Sequence, residues 1–178
     1  QEVSQNFEVK PDPRLKVDLA VLKANYEKAK EAQKLSRTLQ QVNQRLQQTQ
    51  RALQTIREFS RGQRNQKMME VMKKLDEVEK RLKDLNDALN PTPPRQGMAD
   101  RSSGLMSQVN SAVSGLTSAG YEPVTQPAQV KYEKARARLE GFVRQVNEFY
   151  EKDVAGLNKL LQEAGFTLLL NYPPIKMD

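Results

Sequence analysis

Apolar residues recur every three or four positions over most of the chain, which is the spacing that places them on one face of an α-helix. The first such stripe follows Asp18, a residue type that caps helix N-termini, and no proline or glycine interrupts it before Gly62. The pattern therefore predicts a long first helix that ends near Gly62. Its apolar face consists of Leu19, Leu22, Tyr26, Ala29, Ala32, Leu35, Leu39, Val42, Leu46, Thr49, Leu53 and Ile56.

Two shorter stripes predict a second and a third helix. The second begins after Asn65 and ends at Asn90, because prolines follow. The third runs from about Ser103 to Ser118 and is rich in small residues, which lower helix propensity but let helices approach closely. The two apolar faces consist of Met68, Met72, Leu75, Val78, Leu82, Leu85 and Leu89, and of Leu105, Val109, Ala112 or Val113, and Leu116.

A fourth helix is predicted after Thr125, which caps it, with Pro127 in its first turn and Gly165 at its end. The segment that follows, from Phe166 through Pro174, is largely apolar and is expected to pack on the helices. The apolar face of this helix consists of Val130 or Ala128, Tyr132, Ala135, Leu139, Phe142, Val146, Phe149, Val154, Leu157, Leu160 or Leu161, and Ala164.

The four apolar faces predict the fold class. A helix with a single apolar face is unstable alone in water, and four such helices bury their faces by packing together. We therefore predict an all-α fold, an uneven antiparallel four-helix bundle over residues 18–178 with long first and last helices. Residues 1–17 differ, because Phe7 and Val9 alternate with polar residues, as in a strand, before prolines intervene. They are expected to form an extended lead-in, either a flexible tail or the remnant of an upstream β domain.

The composition excludes several kinds of chemistry. The chain contains no cysteine and no histidine, which excludes disulfides, thiolate or imidazole metal sites and Ser–His–Asp triads. The acidic residues of the second helix fall off its apolar face and lie beside lysines. They therefore lack the apolar setting that shifts the pKa of a catalytic carboxyl group. The sequence predicts no catalytic residues, no metal and no cofactor.

Charge is the remaining functional signal. The chain carries 29 basic and 22 acidic residues, a net charge of +7, with the excess in its first third. The end of the first helix and the following turn hold Arg57, Arg61, Arg64 and Lys67, which we name the basic tip. It is a candidate anion-binding site for weak, non-specific contact with polyanions, and the alternative is a solvated basic face. The sequence contains no apolar run long enough to span a membrane, and residues 1–12 lack the features of a signal peptide.

Two short segments near opposite ends of the chain resemble a known family. Residues 7–14, Phe-Glu-Val-Lys-Pro-Asp-Pro-Arg, resemble the exit from an Ig-like or fibronectin-like domain. Residues 157–165, Leu-Asn-Lys-Leu-Leu-Gln-Glu-Ala-Gly, together with the Pro-Pro-Ile at 173–175, resemble a closing segment. Both features are similar to those of bacterial exported BNR/VPS10 (sortilin-like) β-propeller proteins, which are often labelled glycosyl hydrolases.

This resemblance implies that the chain is a C-terminal fragment, a non-catalytic helical accessory module that serves stability, assembly or anchoring. It also implies export to the periplasm or the extracellular space, with upstream propeller and Ig-like domains of the same parent chain as partners. A homodimer is a further expectation. The alternative function is a free-standing helical protein that binds an anionic polymer or a protein partner through the basic tip.

Overall fold

A computed structural model describes residues 4–6, 12, 14, 18–60, 62, 66–91, 104–166 and 172–177. The described residues form helices and contain no strand. The helices are α1 (Leu19–Ser60), α2 (Gln66–Leu89), α3 (Leu105–Thr117), α4 (Gln126–Glu148) and α5 (Ala155–Glu163), and a π-helical segment (Phe149–Val154) joins α4 to α5 without a break. With α4, the π segment and α5 taken as one continuous helix, the predicted four-helix bundle with long first and last helices is confirmed.

The helices pack around α1, which is about 63 Å long at 1.5 Å per residue. Near its start, the Asn25 side chain donates hydrogen bonds to the carbonyls of Gly120 (3.1 Å) and Glu122 (2.8 Å), just after α3. Near its end, Arg57 bonds to Glu79 of α2. Helices α2 and α3 therefore follow one another along α1 and antiparallel to it, and the last helix returns alongside them, with α4 against α3 and α5 against α2.

Three helix ends follow the predicted capping chemistry. The Asp18 carboxylate accepts the N–H of Ala20 at 2.8 Å and caps α1. The Thr125 hydroxyl accepts the N–H of Ala128 at 3.4 Å, with Pro127 in the first turn of α4. After α5, Gly165 takes a positive φ of 85°, a conformation that glycine adopts without steric cost. These caps explain why the sequence locates the helices within a few residues.

The predicted apolar faces form one continuous core, to which Val71 and Val143 belong although the pattern does not predict them, whereas Met72 is only partly buried. Its members with 0% exposure come from every helix: Ala32, Val42, Leu46, Val71, Leu75, Val78, Val109, Ala112, Leu139, Val146 and Leu157. The first turns of α1 are an exception. The stripe predicts Leu19 and Tyr26 in the core, yet they are 51% and 63% exposed. This part of the prediction is wrong: Leu19 precedes Asn25, where the turn after α3 bonds to α1, and Tyr26 lines an open surface groove with Val113 and Thr117 instead of entering the core.

The predicted lead-in falls mostly outside the described residues, including Phe7, Val9, Pro11 and Pro13. Within it, the backbone N–H and the guanidinium of Arg14 donate to the Asp12 carboxylate at 2.9 and 2.6 Å. These bonds lower the pKa of Asp12 and raise that of Arg14. The domain boundary at residue 18 and the interpretation of residues 1–17 as a β-domain remnant stay predictions.

One buried polar pair connects α1 to the π segment. The hydroxyl groups of Thr49 and Tyr150 lie 2.7 Å apart in the core. Because Thr49 donates its own proton to the Arg45 carbonyl at 2.9 Å, Tyr150 is the donor in the pair. Burial raises the pKa of Tyr150 to about 12. The folded state therefore holds this tyrosine in its protonated form.

We expect the burial of Tyr150 to make the bundle sensitive to alkali. The pKa of Tyr150 is higher in the folded than in the unfolded chain, so its contribution is complete below about pH 10 and is lost as pH rises towards 12. Urea unfolding at pH 9.5 and 11.5 should show the wild type losing about 2 kcal/mol more stability than Tyr150→Phe. Equal losses in the two proteins would mean that Tyr150 ionises freely in the fold.

Candidate interaction grooves along the first helix

A wide groove of about 870 Å³ runs between α1 and α2 on the outside of the bundle. Its floor consists of Leu53, Leu82 and Leu89, which are buried. Its rim is polar, with amide groups from both helices and charges of both signs on α2. The rim includes Asn43, Gln47, Gln50, Gln54, Asn86, Asn90, Asp76, Glu79, Lys80, Lys83 and Asp87.

Arg57 closes one end of this groove by binding two acids of α2. Its Nε donates to Glu79 Oε1 at 3.0 Å and its Nη2 donates to Glu79 Oε2 at 2.6 Å, and Nη2 also bonds to Asp76. Hydrogen bonds to Glu79 and then to Asp76 raise the pKa of Arg57 further above its ordinary value. The guanidinium and the Glu79 carboxylate match in a bidentate geometry, which favours this register of α2 on α1.

The structure separates the described members of the basic tip by their contacts. Arg57 faces the two carboxylates just described, whereas the Lys67 ammonium donates to the Glu163 carbonyl at the end of α5, at 3.1 Å. Arg61 and Arg64 lie outside the described residues. Anion binding by these four residues therefore stays a prediction, and the positive charge of Arg57 is already compensated within the fold.

We expect the Arg57 network to contribute modestly to stability. Replacing Arg57 with glutamine removes a partly exposed bidentate pair, and such pairs are worth about 1 kcal/mol at most. The matched control is Arg51→Gln, an exposed arginine on the same helix, with an expected change below about 0.5 kcal/mol. Urea unfolding of both variants at low and high salt checks this. If both variants lose the same free energy of unfolding, the Arg57 network does not stabilise the packing of α2 on α1.

The opposite flank of α1, towards α4, is filled by the chain itself. Residues 172–177, which we name the strap, lie in the groove between α1 and α4, and Ile175 within it is 5% exposed. The expectation that the tail packs on the helices is confirmed for Phe166 and Tyr172, whereas Pro173 and Pro174 are exposed and residues 167–171 lie outside the described residues. Among the described residues, one flank of α1 therefore carries an open polar groove and the other a groove that the strap covers.

Other recognisable sites are not formed by the part of the chain that the structure describes. Within it, no group of three or more acidic side chains is placed to hold a metal ion. None of its helices is both long and apolar enough to cross a membrane. Perturbed pKa values occur in ion pairs and at buried tyrosines. These features define the class of the protein: the described residues form an all-helical domain with a polar groove between α1 and α2.

Comparison with known families identifies the domain. A family model matches residues 19–118, more than half of the chain: SesA, an N-terminal domain on NACHT NTPases and P-loop NTPases. The chain belongs to the SesA family. The match covers α1, α2 and α3, so the last helix and the strap lie outside it. No curated protein and no solved structure matches the chain significantly.

The family match overturns the resemblance to BNR/VPS10 propeller proteins. A SesA domain is N-terminal on an NTPase, so the prediction of a C-terminal accessory module of a propeller protein is wrong, and so are its propeller and Ig-like partners. The free-standing binding protein, the homodimer and the polyanion contact gain no support from the match. Export rested on the same resemblance and is untested.

Helix chemistry explains one of the two misleading segments. Residues 157–165 form the amphipathic α5 and its glycine cap, with Leu157 and Leu161 buried and Gly165 at positive φ. Any helix that packs by one face and ends in this way favours a similar sequence. A short segment of that kind therefore reports local structure rather than ancestry.

Proposed function

We propose that this chain is a non-catalytic N-terminal domain that docks on a NACHT-type P-loop NTPase in the same polypeptide and regulates it. The observation that carries the proposal is the SesA match over α1 to α3. In the 178 residues no glycine is followed by lysine, so the G-x-x-x-x-G-K-[ST] signature of a P-loop is missing. In this proposal, the NTPase domain binds and hydrolyses the nucleotide.

The groove between α1 and α2 suits docking within one polypeptide. Interfaces between domains of a single chain are more polar than obligate interfaces, and the groove rim consists of amides and charges of both signs. Covalent linkage raises the effective concentration of the two domains to the millimolar range, so modest contacts suffice. The lysines Lys80 and Lys83, flanked by Asp76 and Asp87, supply the charge pattern that selects one docking register.

Regulation follows if docking differs between nucleotide states. Segments of P-loop NTPases become ordered around the γ-phosphate and are released after hydrolysis. A domain that docks better in one state shifts the equilibrium by its difference in affinity. The α1–α2 groove would then hold the NTPase in one state until nucleotide exchange.

A charge reversal in the groove tests the proposal. In the polypeptide that carries both domains, Lys80→Glu combined with Lys83→Glu should change the rate of ATP hydrolysis about fivefold or more, because the coupling free energy is lost. The matched control is Lys134→Glu on α4, an exposed lysine away from the groove, with an expected change of less than about twofold.

Three results would contradict the proposal. One is a polypeptide whose complete sequence contains no P-loop signature. Another is ATP hydrolysis by the 178-residue chain alone. The third is an equal effect of the groove variant and the Lys134 control, which would leave the family assignment intact but remove the groove from the regulatory contact.

A further inference from the structure

The strap lies in the groove between α1 and α4 in the manner of a bound peptide. Tyr172 contacts the bundle at the level of Gln48 and Tyr150, whereas Met177 lies beside Thr38 and Tyr132. The segment therefore runs antiparallel to both helices. The groups that hold it come from α1, from α4 and from the π segment.

One pair of contacts is with the backbone of the strap rather than with a side chain. The Asn147 amide on α4 donates through Nδ2 to the Ile175 carbonyl at 3.1 Å, and its Oδ1 accepts the Ile175 N–H at 2.9 Å. A side-chain amide that pairs with both groups of one residue imitates the neighbouring strand of a sheet. This contact accepts an extended segment whatever the side chain at that position.

Two side chains of the strap supply the specific contacts. The Tyr172 ring packs edge-on against the Tyr150 ring, with 5.6 Å between the ring centres. The Arg45 guanidinium lies 5.6 Å from the centre of the Tyr172 ring. The Tyr172 hydroxyl donates a hydrogen bond to the Gln48 side chain at 3.2 Å. The Ile175 side chain is buried, with 5% of its surface exposed. The groove thus selects an aromatic residue and, three positions later, an aliphatic one.

The two prolines between them prepare the segment for binding. Each proline fixes its own φ near −65°, and each restricts the residue before it to extended conformations. Little conformational entropy is then lost when the segment enters the groove, and Arg45 also donates a hydrogen bond to the Pro173 carbonyl. Aromatic grooves that bind proline-containing peptides also benefit because such peptides lose little conformational entropy on binding.

Beside the strap, the described residues leave an open surface space of about 160 Å³, lined by Asn147, Glu151 and Ala155 next to Pro173 and Pro174. Both prolines are exposed at this space. The strap is therefore held through Tyr172, Ile175 and its backbone rather than through its proline rings.

We propose that the groove between α1 and α4 is a binding site for an extended aromatic–Pro–Pro–aliphatic peptide, and that the strap occupies it in cis. The strap competes with any external peptide at the high effective concentration that covalent linkage creates. The apparent affinity for an external peptide is therefore reduced in proportion to the fraction of molecules whose groove is empty. Releasing the strap should uncover the site.

The experiment compares binding to the closed and the released groove. The probe is a fluorescent, end-blocked peptide with the sequence of residues 172–177, Tyr-Pro-Pro-Ile-Lys-Met, titrated by fluorescence anisotropy. The strap is released in the full chain by Ile175→Ser, a substitution outside the helices that form the groove. We expect the Kd to fall at least about tenfold relative to the wild type, because the competitor is removed.

Two controls make the result specific. A peptide with aspartate in place of isoleucine should not bind the released chain, and adding Asn147→Ala to Ile175→Ser should weaken binding about tenfold. Tyr172→Ser offers a second way to release the strap if Ile175→Ser lowers the helical circular dichroism. Equal affinity of wild type and released chains, no binding to a folded released chain, or equal binding of both peptides would each overturn the proposal.

Discussion

Replacing Leu139 with alanine is expected to lower the free energy of unfolding by about 3 to 5 kcal/mol. Leu139 lies in the middle of α4, is fully buried and belongs to the single core that joins all the helices. Truncating it removes buried apolar surface and leaves a cavity that rigid neighbouring helices cannot fill. Because a domain of this size is stable by only about 5 to 15 kcal/mol, the loss should be visible as a large shift in the urea midpoint.

The matched control for this change is Val130→Ala on the same helix. Val130 is 41% exposed, so its truncation should change the free energy of unfolding by less than about 0.5 kcal/mol. Losses of similar size at both positions would show that the α4 face does not pack as described. Circular dichroism at 222 nm follows the unfolding of both variants.

A chain shortened to the family-matched residues 19–118 is expected to lose cooperative unfolding altogether. About a third of the buried apolar side chains of the described residues lie on α4, the π segment and α5. Without them, the side of α1, α2 and α3 that faces the last helix is exposed to water, and single-faced helices are marginal alone. Thermal melting should change from a sigmoidal transition to a gradual loss of helix.

The control for this truncation keeps the last helix and removes only residues 1–17. The predicted domain begins at residue 18, where Asp18 caps α1, so this shorter chain should melt at the same temperature as the whole chain. A cooperative transition of residues 19–118 at that temperature would mean that the SesA match is a complete folding unit. A lower melting temperature for residues 18–178 would show that the lead-in belongs to the bundle.

Much of the fold could be predicted because helix positions depend on local chemistry. Asp18 and Thr125 cap the helices they precede, and the apolar spacing identifies the buried face of each helix. Contacts between helices could not be predicted in the same way. Whether Arg57 meets Glu79 depends on how far α2 slides along α1, and no local signal in a single sequence sets that register.

The candidate sites illustrate the same limit. The four residues of the basic tip are close in sequence, yet Arg57 turns to α2 and Lys67 to the end of α5. The strap was foreseeable only as an apolar tail, because its partner Asn147 is an ordinary polar residue on the side of α4. The family was misjudged because short capped segments are common to unrelated helical proteins.

The π segment has a consequence for how relatives of this chain should be aligned. Across this segment Phe149 and Val154, five residues apart, are both buried, and Tyr150 between them is buried as well. In a π-helical turn the hydrogen bond joins residues five apart instead of four, so the turn contains one residue more than an α-helical turn. The segment thus absorbs a one-residue insertion while the faces of α4 and α5 stay in phase. A relative with one residue fewer would continue as plain α-helix, and its alignment gap belongs within 149–154 rather than in a loop.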